Sequence, residues 1–191
     1  HAMVETMISD SDMPAEQRER FLTKTRDQSV RLASLVTDLL ALSRLESHDV
    51  PGEQGTIELR QVVVACEQSL LPSAEARDVA LSVTLPECAV MVAGDDREIG
   101  HVVTNLLDNA VKYTPDGGRV ALRLAEEAGL AVIEVVDTGV GIAVEHQERI
   151  FERFYRVDRA RSRELGGTGL GLSIVKHIVL AHGGTMSVVS T

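Results

Sequence analysis

Three stretches of this chain pair residue types suited to binding a phosphorylated base. Asn105-Leu106-Leu107-Asp108-Asn109-Ala110-Val111-Lys112-Tyr113 places two carboxamides four residues apart, with a lysine and a tyrosine on the next turn. Amide oxygens are hard ligands suited to magnesium, and a lysine neutralises phosphate charge; an amphipathic helix turning polar residues to water fits the same pattern. Asp137-Thr138-Gly139-Val140-Gly141 ends an apolar run with a carboxylate and two glycines. The carboxylate suits an adenine amino donor and the glycines admit a flat ring, although Asp137 capping its own turn explains the pattern equally. Gly166-Gly167-Thr168-Gly169-Leu170-Gly171-Leu172 is the third stretch. Its glycines let backbone amides approach an anion, and it opens a helix whose N-terminus favours negative charge; a flexible turn is the plain alternative. Taken in this order and spacing, the three describe one pocket for a nucleotide and its metal.

Two familiar phosphate motifs are excluded. Gly166 and Gly171 have P-loop spacing, but Leu172-Ser173 stands where Lys then Ser/Thr is required. The spacing G-x-G-x-G after a long loop is not the dinucleotide fingerprint. Arg149, Arg153, Arg156, Arg159, Arg161 and Arg163 crowd the segment before the glycines, where acidic neighbours such as Glu148, Glu152, Asp158 and Glu164 account for most of them. The length of that segment favours a mobile lid. His101, His146, His177 and His182 lack metal-ligand pairing.

The elements that must position these residues follow from composition and periodicity. The chain has 191 residues, 44% hydrophobic and only 3% aromatic, so its core is aliphatic. A formal charge of -10 argues against coating nucleic acid. Cys66 and Cys88, the only cysteines, read as reduced, buried thiols in a cytoplasmic setting. No apolar run reaches about 18 residues, so no membrane contact is expected of this stretch. His1-Ala2-Met3 reads as a cloning remnant.

A long helix is expected from Pro14 to Glu46, with Phe21, Thr25, Gln28, Leu32, Leu35, Leu39 and Leu42 along one stripe and Leu22, Val36 and Leu40 widening it. That stripe fits a helix of a bundle better than a helix packed on its own domain. Pro51, Gly52 and Gly55 mark a linker at 49–55. Beyond it are expected a strand at Ile57-Glu58-Leu59, a helix from Leu59 to Arg77 interrupted at Pro72, and strands over Val79–Leu85 and Ala89–Ala93. A helix over Asp95–Tyr113 follows, then a hairpin of Arg119–Ala125 and Leu130–Val136. A short helix near Glu145–Arg153, a helix over Gly169–Ala181 and a last strand begun by Thr185–Val189 complete the pattern. Strands in succession with segregated helices predict an α+β, two-layer sandwich.

From about Gly94 to Ser190 these residues resemble the ATP-binding domain of bacterial two-component sensor histidine kinases. Asn105–Tyr113 is similar to the family's N box, Asp137–Gly141 to its G1 box, Phe151-Glu152-Arg153-Phe154-Tyr155-Arg156 to its F box and Gly167–Leu172 to its G2 box. The resemblance implies the Bergerat fold, an antiparallel-rich sheet with helices on one face and ATP under a lid. It implies that Asn109 holds Mg2+, Lys112 meets phosphate, Tyr113 lies against the base and Asp137 accepts from the adenine amino group. Gly167, Gly169 and Gly171 would cradle the triphosphate, and Arg156 would reach the γ-phosphate. Asn105, Gly139, Gly141, Ile142, Tyr155, Thr168, Leu170 and Leu172 are placed among the nucleotide contacts on the same basis. Asn105 stands where related ATPases of this fold carry a glutamate that activates water, and an amide cannot serve as that base.

Arg31 to Glu46 resembles the second helix of the family's dimerisation and phosphoacceptor domain. The first helix should carry His-Glu or His-Asp followed by Leu-Arg-x-Pro, and none of the six histidines has that context; only Val4–Ile8 fits its tail. The resemblance therefore divides the chain into a partial dimerisation segment at 1–48, the linker, and a catalytic domain at 56–191 lacking its final strand. It implies a piece of a membrane-bound sensor, from its cytoplasmic portion. The parent would be a homodimer, and its γ-phosphoryl would pass to a histidine and on to an aspartate of a response-regulator receiver domain. By this reading the chain binds ATP but does not autophosphorylate. A nucleotide-binding regulatory module without turnover, and a serine kinase of the anti-sigma type, are the alternatives; the helix before Glu46 argues against the second.

Overall fold

A computed structural model describes residues 5, 13–46, 55–158 and 167–190 of the chain. Helix α1, Ala15–Glu46, runs the length expected of the first stripe. Strand β1, Gly55–Glu58, leads directly into α2, Leu59–Glu75, and strands β2, Ala80–Thr84, and β3, Met91–Gly94, follow. Helix α3, Asp96–Tyr113, precedes a hairpin of β4, Arg119–Glu127, and β5, Leu130–Asp137. A single helical turn α4, Val144–Gln147, a 3-10 turn at Arg149–Phe151 and helix α5, Gly171–Ala181, complete the order.

The main sheet has the order β2-β4-β5. Strand β2 lies parallel to β4, Ala80 opposite Arg119, while β5 is antiparallel to β4, with Val120 opposite Asp137. A separate antiparallel pair joins β1 and β3. The chain is thus α+β with a mixed sheet, and α3 is the crossover between its two parallel strands.

Alternation on β4 explains how the layers form. Val120, Leu122 and Leu124 are buried while Arg119, Ala121 and Arg123 face out. The inward row packs against Leu59, Val63, Cys66 and Ala74 of α2 and Val103, Leu107, Ala110 and Val111 of α3. Cys66 is buried as expected, whereas Cys88, in the connection between β2 and β3, is exposed. On the outer face, the exposed Arg123 donates hydrogen bonds to the carboxylates of Glu127 and Glu134, which raise its pKa. A second cluster joins Val102 of α3 to Leu170, Ile174, Val175 and Ile178 around α5, with Leu35 of α1 packed against it.

Several expected boundaries shift for local reasons. Pro72 sits inside α2, within one turn of its end at Glu75, where few helical bonds remain to be lost. The hairpin strands extend through Glu127, leaving only Ala128 and Gly129 in the turn, at φ 51° and 78°. Left-handed values at both positions are the geometry that matches strand twist. The helix expected over Glu145–Arg153 is split into α4 and the 3-10 turn. Residues 185–189 alternate in exposure but join no ladder among the described residues, in place of the expected last strand.

Leu22, Leu32, Val36, Leu39 and Leu40 of α1 remain 50–63% exposed, so most of its apolar stripe is uncovered by the described residues. No described helix is long and apolar enough to cross a membrane. Of the expected features, the linker except Gly55, the first-helix tail except Glu5, Arg159, Arg161, Arg163, Glu164 and Gly166 lie outside the described residues.

Candidate functional site

Helix α3 is the platform of the site. The Asp95 side chain caps it, accepting from the Arg97 N–H at 2.7 Å. Its apolar face is consumed by the two clusters, which leaves Asn105, Asp108, Asn109 and Lys112 half-buried along another side of the helix. Lys112 Nζ donates to Asp108 Oδ2 at 2.6 Å, one turn earlier. The Asn105 amide Nδ2 donates to the His101 carbonyl at 3.0 Å. Its Oδ1 fills the space beside Gly171, where an added Cβ would lie 2.3 Å away. The glycine loop and the carboxamide helix therefore meet atom against atom.

The Asp137 turn is seated on the other end of α3. Asp137 Oδ1 accepts from the Gly139 N–H at 2.8 Å, which is the self-capping turn that the residue pattern also allows. The two roles are compatible, because a carboxylate has a second oxygen. A Cβ on Gly139 would come 2.5 Å from that Oδ1 and 2.8 Å from the Tyr113 carbonyl. The Val140 N–H also reaches the Tyr113 carbonyl, at 3.4 Å. Gly141 adopts φ 71°. Ile142 is then tied down: its N–H donates to Ser190 Oγ at 2.8 Å, and its carbonyl accepts from Gln147 Nε2 at 2.9 Å. Gln147 Nε2 also donates to the Ser190 carbonyl at 3.1 Å. Sequence reasoning missed Gln147 and Ser190, since nothing in their local pattern marks a contact across more than 40 residues.

The segment Phe151–Arg156 folds back on the glycine loop. The Phe154 N–H donates to the Gly169 carbonyl at 2.8 Å. Both residues are left-handed, at φ 62° and 77°, and a Cβ on Gly169 would meet the Phe154 backbone at 3.1 Å. Tyr155 shares a hydrogen bond with His146 Nδ1 at 2.7 Å, and the Arg149 guanidinium covers its ring at 4.3 Å. Arg156 is half-buried beside it. Thr168 and Leu170 are buried, Gly167, Gly169 and Leu172 half-buried. Thr168 Oγ1 accepts from the Leu170 N–H at 3.2 Å and donates to Asp38 Oδ2 of α1 at 2.9 Å. Asp38 was not among the expected site residues. The one sequence signal is its place three residues after Leu35, on the same face of α1.

The three stretches thus come together around α3, Asn105 with Gly171 and Tyr113 with Gly139 and Val140, while Gly169 joins the glycine loop to Phe154. Lys112, Tyr155 and Asp137 each hold a partner from the chain itself.

Comparison with known proteins points the same way. Residues 94–191 match the family described as histidine kinase-, DNA gyrase B-, and HSP90-like ATPase. The chain is 40% identical over 189 residues to the sensor histidine kinase RppB of Synechocystis sp., covering 99% of this chain and 42% of that protein. It is 40% identical over 167 residues to the sensor histidine kinase WalK of Bacillus subtilis, covering 86% and 27%. Among solved structures, a mycobacterial sensor histidine kinase, MprB, aligns with a TM-score of 0.61 and 34% identity over 70% of this chain and 83% of that one. Full-length ShkA in complex with AMPPNP aligns with a TM-score of 0.74 and 26% identity over 97% of this chain and 38% of that one. The chain spans less than half the length of these curated relatives.

Proposed function

The chain belongs to the histidine kinase-, DNA gyrase B- and HSP90-like ATPase family, and on that premise we propose that it is the ATP·Mg2+-binding catalytic part of a two-component sensor histidine kinase. It donates the γ-phosphoryl group to a histidine, for relay to an aspartate of a response regulator. The observation that carries this reading is the convergence of two glycine turns on one helix: a Cβ at Gly171 would stand 2.3 Å from Asn105 Oδ1, and one at Gly139 2.8 Å from the Tyr113 carbonyl.

The residues present fit a purine triphosphate. Gly139 N–H orients the Asp137 carboxylate, which can accept from a base amino group. Gly139 and Gly141 put no side chain over the base, and Ile142, held by Ser190 and Gln147, supplies an apolar wall. Gly167, Gly169 and the N-terminus of α5 offer backbone N–H groups to phosphate. Lys112 neutralises phosphate charge after leaving Asp108, and Arg156 reaches the terminal phosphoryl group. Asn109 is an oxygen donor of the class magnesium prefers, and the ion, when bound, supplies further charge neutralisation. Asn105 has no proton-accepting capacity, so the site positions ATP without activating water for hydrolysis.

None of the six histidines lies in an acceptor context, and the acceptor in this reading is a histidine on the first helix of the hairpin to which α1 contributes the second. The uncovered apolar stripe of α1 supports the dimeric bundle of such proteins, and the parent would be a membrane sensor with this part in the cytoplasm. Transfer is tested with labelled ATP and an added protein carrying only the acceptor helix pair. Acid-labile label on the added histidine is the expected result. Nucleotide binding without transfer would favour a regulatory module, and acid-stable label on serine an anti-sigma-type kinase.

A further inference from the structure

A buried carboxylate stands at the root of the glycine loop, and it comes from another element. Asp38 of α1 is 5% exposed. Its Oδ2 accepts from Thr168 Oγ1 at 2.9 Å, and its Oδ1 lies 3.5 Å from His101 Nε2 of α3. Thr168 Oγ1 in turn accepts from the N–H of Leu170, the residue that caps α5. That N–H is among the first of the helix, which have no carbonyl partner within it. The same end of the helix carries partial positive charge and draws anions. A relay of two hydrogen bonds therefore delivers a negative charge of the chain itself to the helix end that faces the expected phosphates. Leu35, one turn earlier on α1, packs against the cluster that contains Leu170, Ile174 and Val175, so an apolar contact and a charged one seat α1 on the loop together.

We propose that Asp38 is a latch on the glycine loop: through Thr168 its carboxylate competes with the phosphates of an adenine nucleotide, so that docking of α1 and entry of nucleotide oppose one another. The proposal rests on the nucleotide reading of this loop. Two effects act in the same direction. A buried carboxylate next to a triphosphate is a like-charge neighbour in a poorly solvated place. The loop conformation that gives the Leu170 N–H to Thr168 also withholds that N–H from a ligand. Linkage makes the effect reciprocal, so nucleotide loosens α1 by the factor by which α1 weakens nucleotide.

The test uses the chain as it stands with Asp38→Ala, which removes both acceptor and charge, and Asp38→Asn, which keeps an acceptor for Thr168 without the charge. Calorimetry with the magnesium complex of a non-hydrolysable ATP analogue should show binding tighter by about three- to tenfold in Asp38→Ala and by less in Asp38→Asn. Hydrogen exchange without nucleotide should be faster at the Leu170 amide and along the end of α1 in Asp38→Ala. Unchanged or weaker nucleotide binding in a variant that retains the parent's thermal transition overturns the competition, and unchanged exchange at Leu170 overturns the latch. Should Asp38→Ala not fold, Asp38→Asn decides by the same affinity measurement. If parent and variants all fail to bind nucleotide, the nucleotide reading falls and the competition with it, while the exchange rates report separately on whether Asp38 holds the loop.

Discussion

Asn105 Oδ1 occupies the space that a side chain at Gly171 would need: a Cβ there would stand 2.3 Å from that oxygen. The carboxamide has little room to retreat, because its Nδ2 is bonded to the His101 carbonyl. Gly171→Ala must therefore displace Asn105 or push α5 off α3. The expected cost is about 1–3 kcal/mol of stability, with weakened nucleotide binding. Shortening the opposing side chain removes the clash, so Asn105→Ala combined with Gly171→Ala should recover most of the lost stability. A double-mutant cycle by urea denaturation checks this, and strictly additive effects would show that the two residues do not touch.

The two roles of Asp137 separate in one substitution. Asp137→Asn keeps an oxygen able to accept from the Gly139 N–H, so the turn and the melting temperature should change little. The carboxylate offered to a base amino group is lost, together with its charge-assisted bond, which corresponds to about 1.5–3 kcal/mol or tenfold and more in affinity. Calorimetry with an ATP analogue measures the loss. A variant with lower stability but the parent's nucleotide affinity would leave Asp137 as a turn cap alone.

Lys112 is held by Asp108 at 2.6 Å, with both side chains about one-third exposed. Such a pair contributes at most about 1 kcal/mol to folding, less after solvent screening. Asp108→Asn should thus leave stability nearly unchanged and release the ammonium group, raising affinity for a nucleotide triphosphate. Lys112→Ala should lower it. Parallel titrations of ATP and ADP analogues on the two variants test the pair, and opposite shifts are the expected signature.

Asn109 lies one turn beyond Asn105 on the half-buried side of α3. Asn109→Ala should abolish the part of nucleotide affinity that depends on magnesium and leave the metal-free affinity near its parent value. Titrations with and without chelator give both numbers, and an unchanged magnesium dependence would remove Asn109 from the ligand set.

Much of the scaffold was legible because its periodicities are strong. The alternation Val120, Leu122, Leu124 against Arg119, Ala121, Arg123 has one physical solution, a strand with one buried face. The helix carrying Asn105 and Asn109 declared both ends, by the Asp95 cap and by Thr114-Pro115. Illegible from the residues were the contacts made across the chain. No local pattern distinguishes Ser190, which holds Ile142, from any other terminal serine. Asp38 reads as a solvated helix charge until the glycine loop arrives beside it. The parallel pairing of β2 with β4 was equally hidden, because local periodicity sets which face of a strand is buried and not which neighbour it takes. The helix expected over Glu145–Arg153 tightens into a 3-10 turn after Glu148, which keeps helical backbone, and ends where Glu152 becomes extended, ahead of Tyr155, whose ring lies under Arg149.

That parallel pairing fixes the order in which the molecule can be assembled. Strand β2 is complete at Thr84, yet its only ladder partner among the described residues begins at Arg119. Until α3 has been synthesised and laid across the nascent layer, β2 is an open edge with nothing to pair with. Closing so long a loop before any ladder bond repays it makes this step slow relative to the β4–β5 hairpin. The helix that presents Asn105, Asn109 and Lys112 is thereby also the piece on which completion of the sheet waits, so substitutions along its buried side should retard folding as well as lower stability.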